Sequence, residues 1–147
     1  MGLLFIALSI NRDHIARHPG YRSVARQTGL AFISILVVTA LVLIPTQSPR
    51  WLGGELVAGD GIGLVWEIAV QRRVARALDE YVTRYLQVSL LCDIGMLGVL
   101  AGAIVLIVGS TVVGLDVIAA ATILLGLTAI RNSWALVMNV NPPDADE

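Results

Sequence analysis

Apolar runs of membrane length alternate along this chain with short stretches that hold nine of its ten arginines, and this alternation limits the fold more than any motif does. A hydrocarbon interior offers the backbone no hydrogen-bond partner, so a segment inside it must pair its own N–H and C=O groups as a helix or a closed barrel. The runs are too long and too continuously apolar for barrel strands, which alternate in polarity over about ten residues. The expected fold class is therefore all-α, a polytopic transmembrane helix bundle. Composition points the same way: 56% of residues are hydrophobic and 14% charged, against roughly 45–50% and about 25% in soluble domains.

Four full spans are expected, at about 29–45, 51–70, 94–115 and 117–138, within a single membrane domain covering 1–147. Around them fall a short apolar helix over 2–10, polar loops over 11–28 and 71–92, and a tail over 141–147 that reads as disordered. The run from Gly2 to Ile10 makes about 14 Å of helix against a core of roughly 30 Å, so it does not cross alone. It has neither the basic lead-in nor the small-residue cleavage site of a signal peptide, and reads as a half-inserted helix or a reading frame that starts late. Pro19–Gly20 is expected to break any helix through the first loop, and Pro45 closes the second apolar run. Residues 71–87 lack Gly and Pro and place apolar residues at 70, 74, 77, 78, 81 and 85, the spacing of an amphipathic helix connecting the third run to the fourth. A tight turn is expected near Gly114 and Asp116.

Orientation follows from arginine. Residues Arg12, Arg17, Arg22, Arg26, Arg72, Arg73, Arg76, Arg84 and Arg131 fall on one side of the alternation and Arg50 on the other. Cytoplasmic loops retain positive charge, so the chain is expected in a bacterial inner membrane, multi-pass, with a cytoplasmic C-terminus. Trp51, next to Arg50, suits an interfacial aromatic on the outer side.

The third run is the unusual one, with Glu55, Asp60 and Glu67 among its apolar residues. Asp60 lies near its middle, where an acid costs about 2.5–3.5 kcal/mol on insertion scales. Such a residue must pack against another helix, hold a proton, or open onto water. Glu67 lies seven residues on, two turns along the same face, at a depth shared with Asp93 and Arg131. Asp60, Glu67, Asp93 and Arg131 are thus the candidate intramembrane polar or ion-path residues. On a functional reading Asp60 and Glu67 are steps of a proton or cation path. On a structural reading they are pinned by Arg131, Asn132, or serines and threonines of neighbouring helices. An interfacial position or a snorkelling side chain accounts for Asp93 and Arg131.

Gly59 with Gly63, and Gly98 with Gly102, form GxxxG pairs and are the candidate helix-packing residues, chiefly within the bundle and secondarily for self-association. No catalytic, cofactor-binding or metal site is expected. His14 and His18 stand four apart but are followed at once by Pro19 and have no third ligand. Histidines for haem are missing from the spans. The Gly59–Gly63 stretch fits neither the dinucleotide nor the phosphate-loop pattern. Cys92 is alone and reads as a small apolar filler. Arginines set beside apolar runs, with a net charge of −1, argue against nucleic acid as a partner.

Residues 2–11 (Gly-Leu-Leu-Phe-Ile-Ala-Leu-Ser-Ile-Asn), 43–48 (Leu-Ile-Pro-Thr-Gln-Ser) and 132–137 (Asn-Ser-Trp-Ala-Leu-Val) together resemble an uncharacterised family of small bacterial multi-pass integral membrane proteins. Some proteins of that family are labelled modulators of a membrane-bound ATP-dependent protease. The resemblance implies a complete first span preceded by further small and apolar residues, which this sequence does not contain. The expected function is that of a membrane accessory or interaction protein without enzymatic activity or cofactor. Its partners would be the lipid bilayer and a membrane protein or a second copy of the chain. The alternative is a small transporter or an ion- or proton-conducting oligomer using the intramembrane carboxylates.

Overall fold

The computed structural model describes Gly2 and residues 19–75 and 82–138, with side chains at 25–69, 71–72 and 90–136. The short apolar helix expected over 2–10, the His14 and His18 pair, and the tail over 141–147 lie outside this description. Four helices make up the described residues: α1 (Pro19–Val42), α2 (Pro49–Ala75), α3 (Val82–Val108) and α4 (Thr111–Met138). The shortest has 24 residues, about 36 Å of axial rise and enough for a bilayer core.

The helices run up and down. Ser34 bonds Asp60 and Arg26 lies over Trp66, so α1 and α2 are antiparallel. Gly53 lies against Ala103 and Ile107 and Gly63 against Met96, which makes α2 and α3 antiparallel. Gly95 faces Leu125 and Gly102 faces Ile118, which does the same for α3 and α4. The ring closes where α1 meets α4, and α1 also touches α3 across the middle. Ala31, Leu56, Val99, Ala103, Leu106 and Leu125 fill the interior.

Three helices are long and apolar enough to cross a membrane, over Ala25–Val42, Leu90–Val108 and Thr111–Leu136. With Glu55, Asp60 and Glu67 along it, α2 is not among them, although at 27 residues it matches their length and packs beside them. Its orientation is inverted relative to a helix on a water-soluble protein. Ile62 is 72% exposed and Val65 70%, while Asp60 is 7% exposed and Glu67 3%. A water-facing surface helix turns its charges out and its aliphatic side chains in.

Three boundaries differ from the sequence expectation. Pro19 opens α1, because its fixed φ and missing N–H suit the first helical turn, so residues 19–28, expected as loop, are helical. Of the stretch 71–87 expected as a connecting helix, 71–75 continue α2 and 82–87 belong to α3, while 76–81 lie outside the described residues. The last turn sits at Gly109–Ser110, not at Gly114–Asp116. There Gly109 takes φ +110°, its N–H donates to the Leu106 carbonyl at 3.2 Å, and the Ser110 N–H donates to the Val105 carbonyl at 3.2 Å. These bonds are the glycine-dependent Schellman stop, which satisfies the last carbonyls of a helix. Gly114 instead lies inside α4, where a Cβ would stand 2.7 Å from the Leu106 Cδ2. At the same end of the bundle Ser48 caps α2: the Leu52 N–H donates to its carbonyl at 3.1 Å and the Trp51 N–H to its Oγ at 3.4 Å.

Glycine sets how closely α3 and α4 approach. At Gly102 an added Cβ would lie 2.6 Å from the Ile118 Cγ1 and 2.9 Å from the Gly114 carbonyl oxygen, and at Gly98 it would lie 2.8 Å from the Ala121 Cβ. Gly63 faces only the mobile end of Met96, at 3.1 Å, and Gly59 is exposed with nothing within 4 Å. Gly102→Ala is therefore expected to destabilise the bundle by about 1–3 kcal/mol, because backbone has to move. Gly59→Ala is expected to be neutral or to stabilise by up to about 1 kcal/mol through helix propensity. Unfolding of the purified chain in detergent, followed by circular dichroism, measures both; equal losses would contradict the seam.

Candidate functional site

A strip of polar side chains runs down the inner face of α2. Asp60, Leu64, Glu67 and Gln71 recur at the three- and four-residue spacing that aligns side chains on one helical face. On α1 the residues Gln27, Ala31, Ser34 and Val38 do the same, and they face α2. The two strips meet at two levels. At the upper level Ser34 Oγ donates to Asp60 Oδ1 at 2.8 Å, while Asp60 Oδ2 is buried without a hydrogen-bond partner. At the lower level Gln27 and Gln71 approach Glu67, but neither Glu67 oxygen is met in hydrogen-bonding geometry.

The other two helices complete the lower level. Asp93 on α3 is half-buried, and Gln71 Nε2 donates to its two oxygens at 3.0 and 3.1 Å. Cys92 beside it is fully buried and lies within electrostatic reach of Glu67. The contact of Ile35 with Gly126 sets the register between α1 and α4, and brings Asn132 and Ser133 to the level of Gln27 and Thr28. Both α4 residues are buried; Ser133 Oγ donates to its own helix at the Ala129 carbonyl, 2.8 Å away, while Asn132 Nδ2 has no partner. Each of the four helices thus contributes polar groups to one layer.

Of the residues singled out from the sequence, Asp60, Glu67 and Asp93 come together inside the bundle, close enough for both aspartates to act on Glu67 electrostatically. Arg131 does not join them. It is exposed on α4 and makes no ion pair among the described residues, so it does not pin the acids as one structural reading had it. Helical phase explains this, because Asn132, one residue on, takes the inward position. Arg26 is likewise exposed, its guanidinium carbon 5.1 Å from the centre of the Trp66 ring, a cation–π contact on the outer surface. Gln27 and Gln71 were not singled out from the sequence, since their neighbours Arg26 and Arg72 mark both segments as loop. Their phase with Ser34 and Glu67 was the available signal.

Chemically, the layer offers carboxyl and carboxamide groups and a thiol in a setting of low polarity. Among the described residues no three His, Cys, Asp or Glu side chains gather as a metal-binding group. Comparison of the chain with protein-family models, with curated proteins and with solved structures finds no match.

The Ser34–Asp60 bond yields a stability prediction. Ser34→Ala leaves a buried carboxyl with neither oxygen paired and is expected to destabilise by about 1–3 kcal/mol. Combining it with Asp60→Leu, which removes the polar group as well, is expected to recover most of that loss. Detergent-unfolding midpoints of the single and double variants provide the check; additive losses would rule out a direct coupling.

Proposed function

We propose that this chain is a four-pass protein of the bacterial inner membrane, with its C-terminus in the cytoplasm, that works without enzymatic activity as an accessory or interaction protein. The outward face of α2 carries this reading. Gly54 and Ala58, four residues apart, are exposed between Trp51 and Ile62, and a Cβ at Gly54 would meet nothing within 4 Å. Small residues at this spacing let a second helix approach closely. The close contacts inside the bundle use other glycines, Gly53, Gly95, Gly98, Gly102 and Gly114, so this face is left for a partner. The arginines at the opposite end supply a second, cytoplasmic surface. The likeness to the bacterial family whose members are labelled protease modulators agrees with a partner-dependent role.

Photo-crosslinking from position 58 in native membranes is expected to recover one recurring protein or a dimer of the chain. Recovery of lipid adducts alone would end the interaction reading. In a cysteine-labelling map, positions 20 and 80 are expected on the same, cytoplasmic side and position 47 on the other. Labelling of 20 and 80 from opposite sides would overturn the four-pass topology.

A small transporter or ion-conducting oligomer is the second reading, favoured by one specific observation. Asp60 and Glu67 are buried without a neutralising cation among the described residues. Purified chain in liposomes would then show pH-dependent cation flux that Asp60→Asn abolishes. Flux no greater than that of empty vesicles would remove this reading.

A further inference from the structure

We propose that Glu67 is a proton-binding carboxyl, taking up and releasing H⁺ inside the polar layer to which all four helices contribute. The inference goes beyond the accessory reading and does not depend on it, since a bound proton is defined without any partner or flux.

Burial comes first. Glu67 is 3% exposed, and although Gln27 and Gln71 approach it, neither of its oxygens is met in hydrogen-bonding geometry. An ionised carboxylate held there permanently would be an unpaired buried charge, a state that proteins avoid by pairing or by neutralisation. Pairing is not what the described residues provide. On α1 the cation nearest in sequence is Arg26, which is exposed over Trp66; on α2 it is Arg72, also exposed; on α4 it is Arg131, exposed too.

Among the described residues, the groups that face Glu67 are acidic or neutral. Its own helix presents Asp60 and Gln71, α3 presents Asp93 and Cys92, and α1 presents Gln27. At this level α4 presents Asn132 and Ser133 and no titratable side chain. Like charges so placed oppose a second and third ionisation.

A separate observation comes from α4. Asn132 is 2% exposed, and its Nδ2 donor is unpartnered inside the bundle. A buried amide donor without an acceptor carries a penalty of about 1–3 kcal/mol. That donor adds an unmet polar group to the layer.

Asp93 is half-buried and is tied to Gln71 by two hydrogen bonds. The step itself is balanced simply: a proton from water adds to a Glu67 carboxylate oxygen to give the neutral acid, and release reverses it. Asp60 lies two turns away, about 10 Å along the axis, too far for direct exchange with Glu67.

Infrared difference spectroscopy on the full chain in liposomes tests this. Between about pH 5, just above the ordinary carboxyl range, and about pH 9, the C=O stretch of a protonated carboxyl is expected to give way to carboxylate bands as pH rises. Glu67→Gln is expected to remove one carboxyl's share of that change, and Asp60→Asn to leave that share in place. Glu67→Asp, which keeps a titrating group, is expected to move the band and not abolish it, and the helical amide band shows whether each variant folds. The proposal is overturned if the pH difference spectrum is the same in Glu67→Gln as in the parent chain. It is also overturned if the Glu67 band does not change across this range, which marks a fixed structural proton, or if excess sodium at constant pH removes it, which marks a metal-cation site.

Discussion

The need to keep two carboxyl groups away from hydrocarbon decides which way α2 faces, and the rest of the bundle is arranged around that choice. Asp60 and Glu67 are two turns apart, so one rotation of the helix buries both. The same rotation turns Ile62, Val65 and Trp66 outward. In water this would be an unfavourable exchange, since it exposes apolar surface worth roughly 25 cal/mol per Å². In lipid the exposed aliphatic side chains lose nothing and the acids gain neighbours. The inverted pattern is thus itself an argument about solvent.

Around that helix the partners divide the work. The pair α3 and α4 is joined by glycines whose missing Cβ atoms let backbone meet backbone, a contact with little use for polar groups. The pair α1 and α2 is joined by polar groups, from Ser34 with Asp60 down to Gln27 beside Glu67. One half of the bundle is therefore held by shape and the other by hydrogen bonding. The half held by hydrogen bonding contains Asp60 and Glu67, with Asp93 and Cys92 reaching the same layer from α3.

Much of this was legible in the sequence, and the omissions have physical causes. Runs of apolar residues between arginines revealed four helices, because the pattern depends only on solvation. That Asp60 and Glu67 share one face was legible from their seven-residue spacing. The turn at Gly109–Ser110 was not, since both residues sit within an uncharged stretch that hydropathy reads as continuous; the glycine stop followed by a helix-capping serine was the overlooked signal. Arg131, one of the groups that could have pinned the acids, lies outside because a helix turns 100° per residue, and the neighbouring Asn132 takes the inward phase. Gln27 and Gln71 were hidden by adjacent arginines, which made both segments look like loop although the helices run through them. Gly59 matched a packing motif, yet phase alone places it on the outside, where no neighbour approaches.

Collision accessibility of single spin labels along α2 tests the central claim most directly. Labels replacing Ile62 and Val65 in liposome-reconstituted protein are predicted to meet dissolved oxygen readily and a water-soluble nickel complex hardly at all, as lipid-facing side chains do. Labels at Leu56 and Leu64, on the inner side, are predicted to be shielded from both. Strong nickel collisions at 62 and 65 would mean that this face lies in water, contradicting a bundle turned inside out for lipid.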